Sequence, residues 1–413
     1  MSKKSKKGLM QQLFPAEGET VPKLRFPEFR NAEDWDKKLL SDVCERFSST
    51  ILANTLVNEG NFKVYGASGY FQNVNFYKEE KTYIGIVKDG SGVGRSFICE
   101  GKSSVLSTLQ IIKPKGQNNL IFIWKLIKKI NFSKYVAGGA IPHIYFKDYS
   151  KENITTPLPD EQKKIADCLS SLDNLITAQA QKVESLKAHK KGLMQQLFPA
   201  EGEAVPQLRF PEFRDAPEWE KKSLGEIAVF CKGKGLPKSA ITHEGRNLCI
   251  HYGELFTKYT EVINTVKSRT DLNDGCLFSA ENDVLMPTSD VTPNGLAKAC
   301  CIKSKGVILG GDILVIRPDR QTVNGEFLAR LIRNLEQKVL QLVSGSTVFH
   351  LYASSIDKLA LLIPVHIEQQ KIADCLSSID ELISAQIKKL ETLKAHKKGL
   401  MQQLFPVYNE VNV

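Results

Sequence analysis

The chain has 413 residues, 42% of them hydrophobic and 25% charged, with 56 Lys and Arg against 46 Asp and Glu for a net charge of +10. That length predicts more than one core, and the basic balance suggests a polyanionic partner. No run of 18 apolar residues and no apolar leader occurs, and nine cysteines lack any CxxC pair, so we expect a cytoplasmic protein with no membrane partner, reduced thiols and no metal site.

In chain order, the first signal is a repeat. Residues 6–30, KKGLMQQLFPAEGETVPKLRFPEFR, return at 190–214 as KKGLMQQLFPAEGEAVPQLRFPEFR, an offset of 184 that also carries Trp35 onto Trp219. Within 31–157, TYIGIV (82–87) and SVLSTLQII (104–112) predict strands separated by Gly-rich turns, and 119–130 predicts a short helix. The second block repeats the style, with strands at 283–286 and 306–316 and a helix near 325–342. EQKKIADCLSSLD (161–173) returns as EQQKIADCLSSID (368–380) at an offset of 207, which also maps Val136 to Val343, Gly138 to Gly345, His143 to His350, Tyr145 to Tyr352 and Pro157 to Pro364. The second middle is therefore 23 residues longer. Neutral drift spreads differences evenly along a duplicate. Here they pile up in one block, which favours two units that share a chassis and differ where a ligand binds.

The chassis carries heptads. Ile165, Leu169, Leu172, Ile176, Gln179, Val183, Leu186, Lys190, Leu193 and Leu197 alternate spacings of four and three. Ile372, Leu376, Ile379, Ile383, Gln386, Leu390, Leu393, Lys397, Leu400 and Leu404 do the same. This 3.5-residue period predicts two coiled-coil helices, each about 58 Å long at 1.5 Å per residue. A helix leaving the first globule delivers the chain to the second, and a helix leaving the second can only return, so the pair is expected to be antiparallel. The polar core residues Gln179 and Gln386 would fix its register. The expected fold class is α+β: two mixed α/β domains separated by an antiparallel coiled coil of two long helices, with a pseudo-twofold internal repeat.

Over essentially its whole length the sequence resembles the specificity subunits of type I restriction-modification systems. The residues that carry the resemblance are YGASGY (65–70), IVKDGSGVGR (86–95), VLMPTSD (284–290), GGDILVIRP (310–318) and SGSTVFHLY (344–352), with PLPDEQKKIADCLSSLD (157–173) and the terminal KAHKKGLMQQLFP. The resemblance implies target recognition domains at 25–157 and 199–363, helices at 158–198 and 364–405 acting as a spacer ruler, a partial repeat at 1–24 and a tail at 406–413. Its implied partners are double-stranded DNA, two modification subunits and restriction subunits. S-adenosylmethionine, ATP and Mg2+ would belong to those partners, with no cofactor in this chain.

Nothing in the residues argues for catalysis. No Pro-Pro occurs, as an amino-methyltransferase motif requires, and the nearest approach to GxxxxGK[ST] has Ser96 where the first glycine belongs. Glu161-Gln162-Lys163 mimics a nuclease E-x-K, but its repeat copy loses the lysine at Gln370. Gly90–Gly94 looks like a phosphate cradle without the strand-to-helix setting. DNA reading needs donors and acceptors at base edges, with Lys and Arg at the phosphates. That selects Lys88, Ser91 and Arg95 beside Asp89 and Gly90 in the first block. In the second it selects Lys232, Lys234 and Lys238, then Thr288 and Ser289 with Asp290. His143 and His350, which share one repeat position, join these DNA-binding candidates, although the position suits a structural hydrogen bond better. The rivals are a two-headed scaffold for protein ligands, separable by its weak salt dependence, and an intrinsic nuclease.

Overall fold

A computed structural model describes Pro22 and residues 24–404. The N-terminal repeat copy at 6–14 lies outside the described residues. The chain divides into two compact units, one running to Ala180 and resuming at Lys388, the other spanning Gln181–Ile387. The long helices Pro159–Leu197 and His366–Leu404, 39 residues each, are divided between them. Each unit therefore holds the beginning of one helix and the end of the other.

The first unit contains β1 (Asp36–Leu39), β2 (Cys44–Ser48), β3 (Phe62–Gly66), β4 (Gly69–Val74), β5 (Tyr83–Val87), β6 (Ser96–Cys99), β7 (Ser103–Val105), β8 (Leu109–Pro114) and β9 (Asn153–Thr156). They form sheets ordered β2-β8-β5-β6 and β4-β3-β7, with β1 paired to β9. The second unit contains β10 (Glu220–Ser223), β11 (Ala228–Lys232), β12 (Asn247–Ile250), β13 (Val262–Ile263), β14 (Ser268–Thr270), β15 (Leu277–Phe278), β16 (Val284–Pro287), β17 (Ser289–Asp290), β18 (Cys300–Ile302), β19 (Ile308–Leu309), β20 (Ile313–Pro318), β21 (Phe349–His350) and β22 (Ala360–Ile363). Its sheets are β11-β20-β16-β18-β13 and β14-β12-β19-β15, with pairs β10-β22 and β17-β21.

The dissimilar middles share one fold. Cys44 opposes Pro114 as Ala228 opposes Pro318, and Ile84 opposes Ile112 as Val284 opposes Ile316. Parallel pairing of β3 with β7 recurs as β12 with β19. Where the first unit turns tightly from β3 into β4, the second inserts the helix Tyr252–Thr257 and β13.

Three predicted elements are broken in the structure. The strand expected at 104–112 splits, because β7 joins β3 while β8 lies between β2 and β5, with a turn closed by Leu109 N donating to Leu106 O. The strand expected at 306–316 splits at Gly310-Gly311-Asp312, where Ile313 N donates to Gly310 O. The helix expected at 325–342 breaks at Leu335 (φ −92°, ψ 24°) into Gly325–Asn334 and Glu336–Leu340. The helix expected at 119–130 is Leu120–Ile127, and the Asn119 side chain accepts from the amides of Ile121 and Phe122.

Each core is assembled in the same way. Trp35, Ile84, Ile112 and Phe122 pack with Ile165, Leu169 and Leu404 in the first unit. Trp219, Val284, Ile316 and Phe327 pack with Ile372, Leu376 and Leu197 in the second. So Leu400, Met401 and Leu404 of the C-terminal repeat copy seat in the first core. Of the heptad positions, Ile165, Leu169, Gln179, Ile372, Leu376 and Ile383 are buried, while Leu172, Ile176, Ile379 and Gln386 are half-buried. No described helix is long and apolar enough to cross a membrane.

Candidate nucleic-acid interface

The ends of β5 and β16 enter one backbone frame. Lys88 N donates to Thr108 O at 2.9 Å, and Lys88 O accepts from Ile144 N at 3.0 Å. Thr288 N donates to Asp312 O at 2.9 Å, and Thr288 O accepts from Leu351 N at 3.0 Å. Lys88 and Thr288 therefore occupy the same position in their units, and Asp89 stands where Ser289 stands. The next layer is a hairpin. Ala137 and His143 exchange both backbone hydrogen bonds, at 2.9 and 2.8 Å, as do Ser344 and His350 at 3.0 and 2.7 Å. Gly138 (φ +88°) and Gly345 (φ +120°) turn these hairpins in a region that disfavours side chains.

The supports beneath differ. In the first unit the Tyr149 hydroxyl donates to Gln110 Oε1 at 2.6 Å, and Gln110 Nε2 donates to Ile144 O at 3.2 Å. Buried Leu314 and Ile356 replace this polar pair in the second unit. Above them Asp89 receives Lys88 Nζ at 2.7 Å and His143 Nδ1 at 2.8 Å. Burial pushes the Asp89 carboxyl up, but the hydrogen bonds from Lys88 and His143 outweigh it and hold the group below the usual carboxylate range. The second unit has instead a hollow of about 450 Å³ lined by Lys232, Thr288, Asp312, His350 and Tyr352. The rings of His350 and Tyr352 stack at 6.0 Å and 27°.

Ser91 and Arg95 are exposed on the turn between β5 and β6, with Arg95 Nη1 donating to Ala67 O at 3.3 Å. That turn joins two antiparallel strands, so Gly90–Gly94 has no dinucleotide-site geometry. Lys234 and Lys238 are exposed beyond the lining of the hollow. Gly233 is committed to internal packing, since a Cβ there would lie 1.9 Å from Gly310 O. Asp290 is engaged by Val291 N and the Thr292 hydroxyl at 2.7 and 2.8 Å. The His143 ring is hydrogen-bonded to Asp89 through Nδ1. Glu161 and Glu368 are buried in bidentate pairs with Arg25 and Arg209, with Nε–Oε1 at 2.9 Å and Nη2–Oε2 at 2.8 Å in both. Among the described residues no group of three or more His, Cys, Asp or Glu could hold a metal ion. Residue-type reasoning passed over Tyr145, Tyr352 and Asp312. The signal for the tyrosines was the repeated V-x-G…H-x-Y inside otherwise divergent blocks.

Comparison with known proteins gives a consistent result. A family model described as the type I restriction modification DNA specificity domain matches residues 32–188 and again 217–395. The type I restriction enzyme MjaVIII specificity subunit of Methanocaldococcus jannaschii is 28% identical over 335 residues, covering 76% of each chain. The fold is similar to that of the type I restriction-modification S subunit from M. genitalium, with a TM-score of 0.66, 17% identity, and coverage of 94% of this chain and 100% of that one. A chain from a type I R-M system whose complex assembly and conformational transition were solved gives a TM-score of 0.53 at 14% identity, covering 90% and 97%.

Proposed function

The chain belongs to the type I restriction-modification DNA specificity family, and on that premise we propose that its two units each read one half of a bipartite double-stranded DNA target. The observation that carries this reading is the frame shared by Lys88 and Thr288. One backbone presents a lysine beside a carboxylate in one unit and two hydroxyl residues in the other. Lysine suits guanine O6 and N7, while Thr and Ser serve either partner of a base pair. Such a difference held in a fixed frame is what two different half-sites require. As a specificity subunit the chain is not itself an enzyme; it recognises DNA for a restriction-modification complex.

The finer arrangement follows the family reading: two modification subunits and the restriction subunits assemble on this chain in the cytoplasm. S-adenosylmethionine, ATP and Mg2+ serve those subunits, and the lack of a Pro-Pro amino-methyltransferase motif and of GxxxxGK[ST] in this sequence supports that division. The test is selection of randomised duplexes by the complex assembled with its modification subunits, together with the salt dependence of binding. The expected result is two defined short blocks around an undefined spacer, with affinity falling steeply as salt rises. Salt-insensitive binding without a motif would favour the protein-scaffold reading.

A further inference from the structure

Resting on that reading, we propose that each unit divides the work at its tip: positions 88–89 and 288–289 discriminate bases, while the repeated His-x-Tyr hairpin (143–145 and 350–352) grips the sugar-phosphate backbone without regard to sequence. Two half-sites of different sequence share only their backbone. A residue that contacts what they share can be the same in both units, and a residue that reads what differs cannot. Lys88 and Thr288 are in identical backbone frames yet differ, as do Asp89 and Ser289. His143 and His350, one strand away, are the same, and so are Tyr145 and Tyr352.

Internal packing does not account for the tyrosines. Tyr145 is 50% exposed and Tyr352 is 54% exposed. Neither hydroxyl has a hydrogen-bond partner among the described residues. An exposed phenol repeated at the same place in two otherwise divergent blocks is a donor awaiting an acceptor, and tyrosine hydroxyls are among the groups that meet phosphate oxygens. Cationic company is present in both tips: Lys147 Nζ lies 5.6 Å over the Tyr145 ring, and Lys232 lines the hollow with Tyr352. The ring of Tyr352 also stacks with that of His350. Asp89 holds the first histidine through Nδ1, so Nε2 is the ring nitrogen left to meet a phosphate.

The experiment uses the complex assembled with its modification subunits and four single variants: Tyr145→Phe, Tyr352→Phe, Lys88→Thr and Thr288→Lys. Dissociation constants for a duplex bearing the selected motif and for one lacking it are measured by fluorescence anisotropy, and each variant's motif is reselected from randomised duplexes. Each Phe variant should weaken both duplexes by the same factor, roughly three- to tenfold for one lost hydrogen bond, and leave the motif unchanged. Lys88→Thr should change bases in one half of the motif only, and Thr288→Lys bases in the other half only. A Phe variant that changes the motif, or a position-88 or position-288 variant that weakens binding without changing it, overturns the division. If the unaltered complex selects no bipartite motif, the reading on which the proposal rests falls with it.

Discussion

Lys190 lies 2.6 Å from Asp380, joining the end of the first long helix to the beginning of the second. Arg330, fully buried, meets the same carboxylate at 2.8 Å, and Glu261 approaches Lys190 at 3.2 Å. The first unit contains the same device: Asp173 is met by Lys397 and, at 2.7 Å, by the buried Lys125. Lys190 and Lys397 are heptad core positions, where an unpaired ammonium would be costly. Each aspartate therefore marks one position along the helix pair inside its unit, as a buried polar residue does in a coiled coil.

Asp173→Asn should destabilise the first unit by about 1–3 kcal/mol, below the full cost of breaking a buried pair because this carboxylate keeps some contact with water. Acid tests the same group. Burial pushes the Asp173 carboxyl up, but hydrogen bonds from Lys125 and Lys397 hold it below the usual range. A depressed folded value means the stabilisation is present above the unfolded pKa of about 3.9 and is lost as pH falls through the folded value. The melting temperature should therefore fall less steeply below about pH 4 in the Asn variant than in the unaltered chain. Parallel acid limbs in the two proteins would show that Asp173 is not so held.

Glu368→Gln should cost about 3–5 kcal/mol, because it strands the Arg209 guanidinium in a site where the glutamate is nearly inaccessible. Arg209 also donates to Ala216 O and Pro217 O at 2.8 and 2.9 Å, so it anchors the segment ahead of β10 to the opening turn of the second long helix. Glu161→Gln should do the same to the first unit through Arg25. Calorimetry of the whole chain checks both. A loss below about 1 kcal/mol in either variant would mean the pair is replaceable by a neutral hydrogen bond.

Much of this was legible in the sequence, for identifiable reasons. The heptads and the near-identical flanks are local patterns, and they placed both long helices. The strand breaks at Leu106–Thr108 and at Gly310-Gly311-Asp312 are passed over because apolar residues resume on both sides of them, and only strand partnership shows that the halves belong to different sheets. The equivalence of Lys88 with Thr288 was invisible in letters. It resides in backbone hydrogen bonds to Thr108 and Asp312, at an offset of 200 for one strand and 204 for the next, values absent from the flanking repeats. The lysines of CKGKG are legible as a basic run, but the close approach of Gly233 to Gly310 is not.

Exchanging residues 31–157 for the corresponding block of a relative should change one half of the selected DNA motif and leave the other half intact. The first unit's variable sheets are ordered β2-β8-β5-β6 and β4-β3-β7, with no strand borrowed from 181–387. Trp35, Ile84, Ile112 and Phe122 of the block pack on Ile165, Leu169 and Leu404 of the long helices, so the incoming block must supply the same apolar face. Reselection of randomised duplexes by the assembled complex reads the outcome. A change in both halves would mean that the two units do not read independently.

Gly345→Ala should open the hairpin that carries His350 and Tyr352. The position has φ +120°, and a Cβ there would lie 2.1 Å from Val348 O. A backbone carbonyl is not the far end of a flexible side chain, so the hairpin itself must shift, at about 1–3 kcal/mol for a residue forced into this region. The loss is local, because Ser344 and His350 hold each other only by their two mutual backbone hydrogen bonds. Amide exchange at Ser344 and His350 should therefore accelerate well beyond that of β16 and β20, whose core packing is untouched. DNA affinity should fall with it, since the Tyr352 hydroxyl is carried on the displaced arm. Gly138→Ala should act in the same way on His143 and Tyr145, more mildly, because there the Cβ would lie 2.6 Å from Ile141 O at φ +88°. Protected amides and undiminished affinity in Gly345→Ala would show that the hairpin is not the arm that meets DNA.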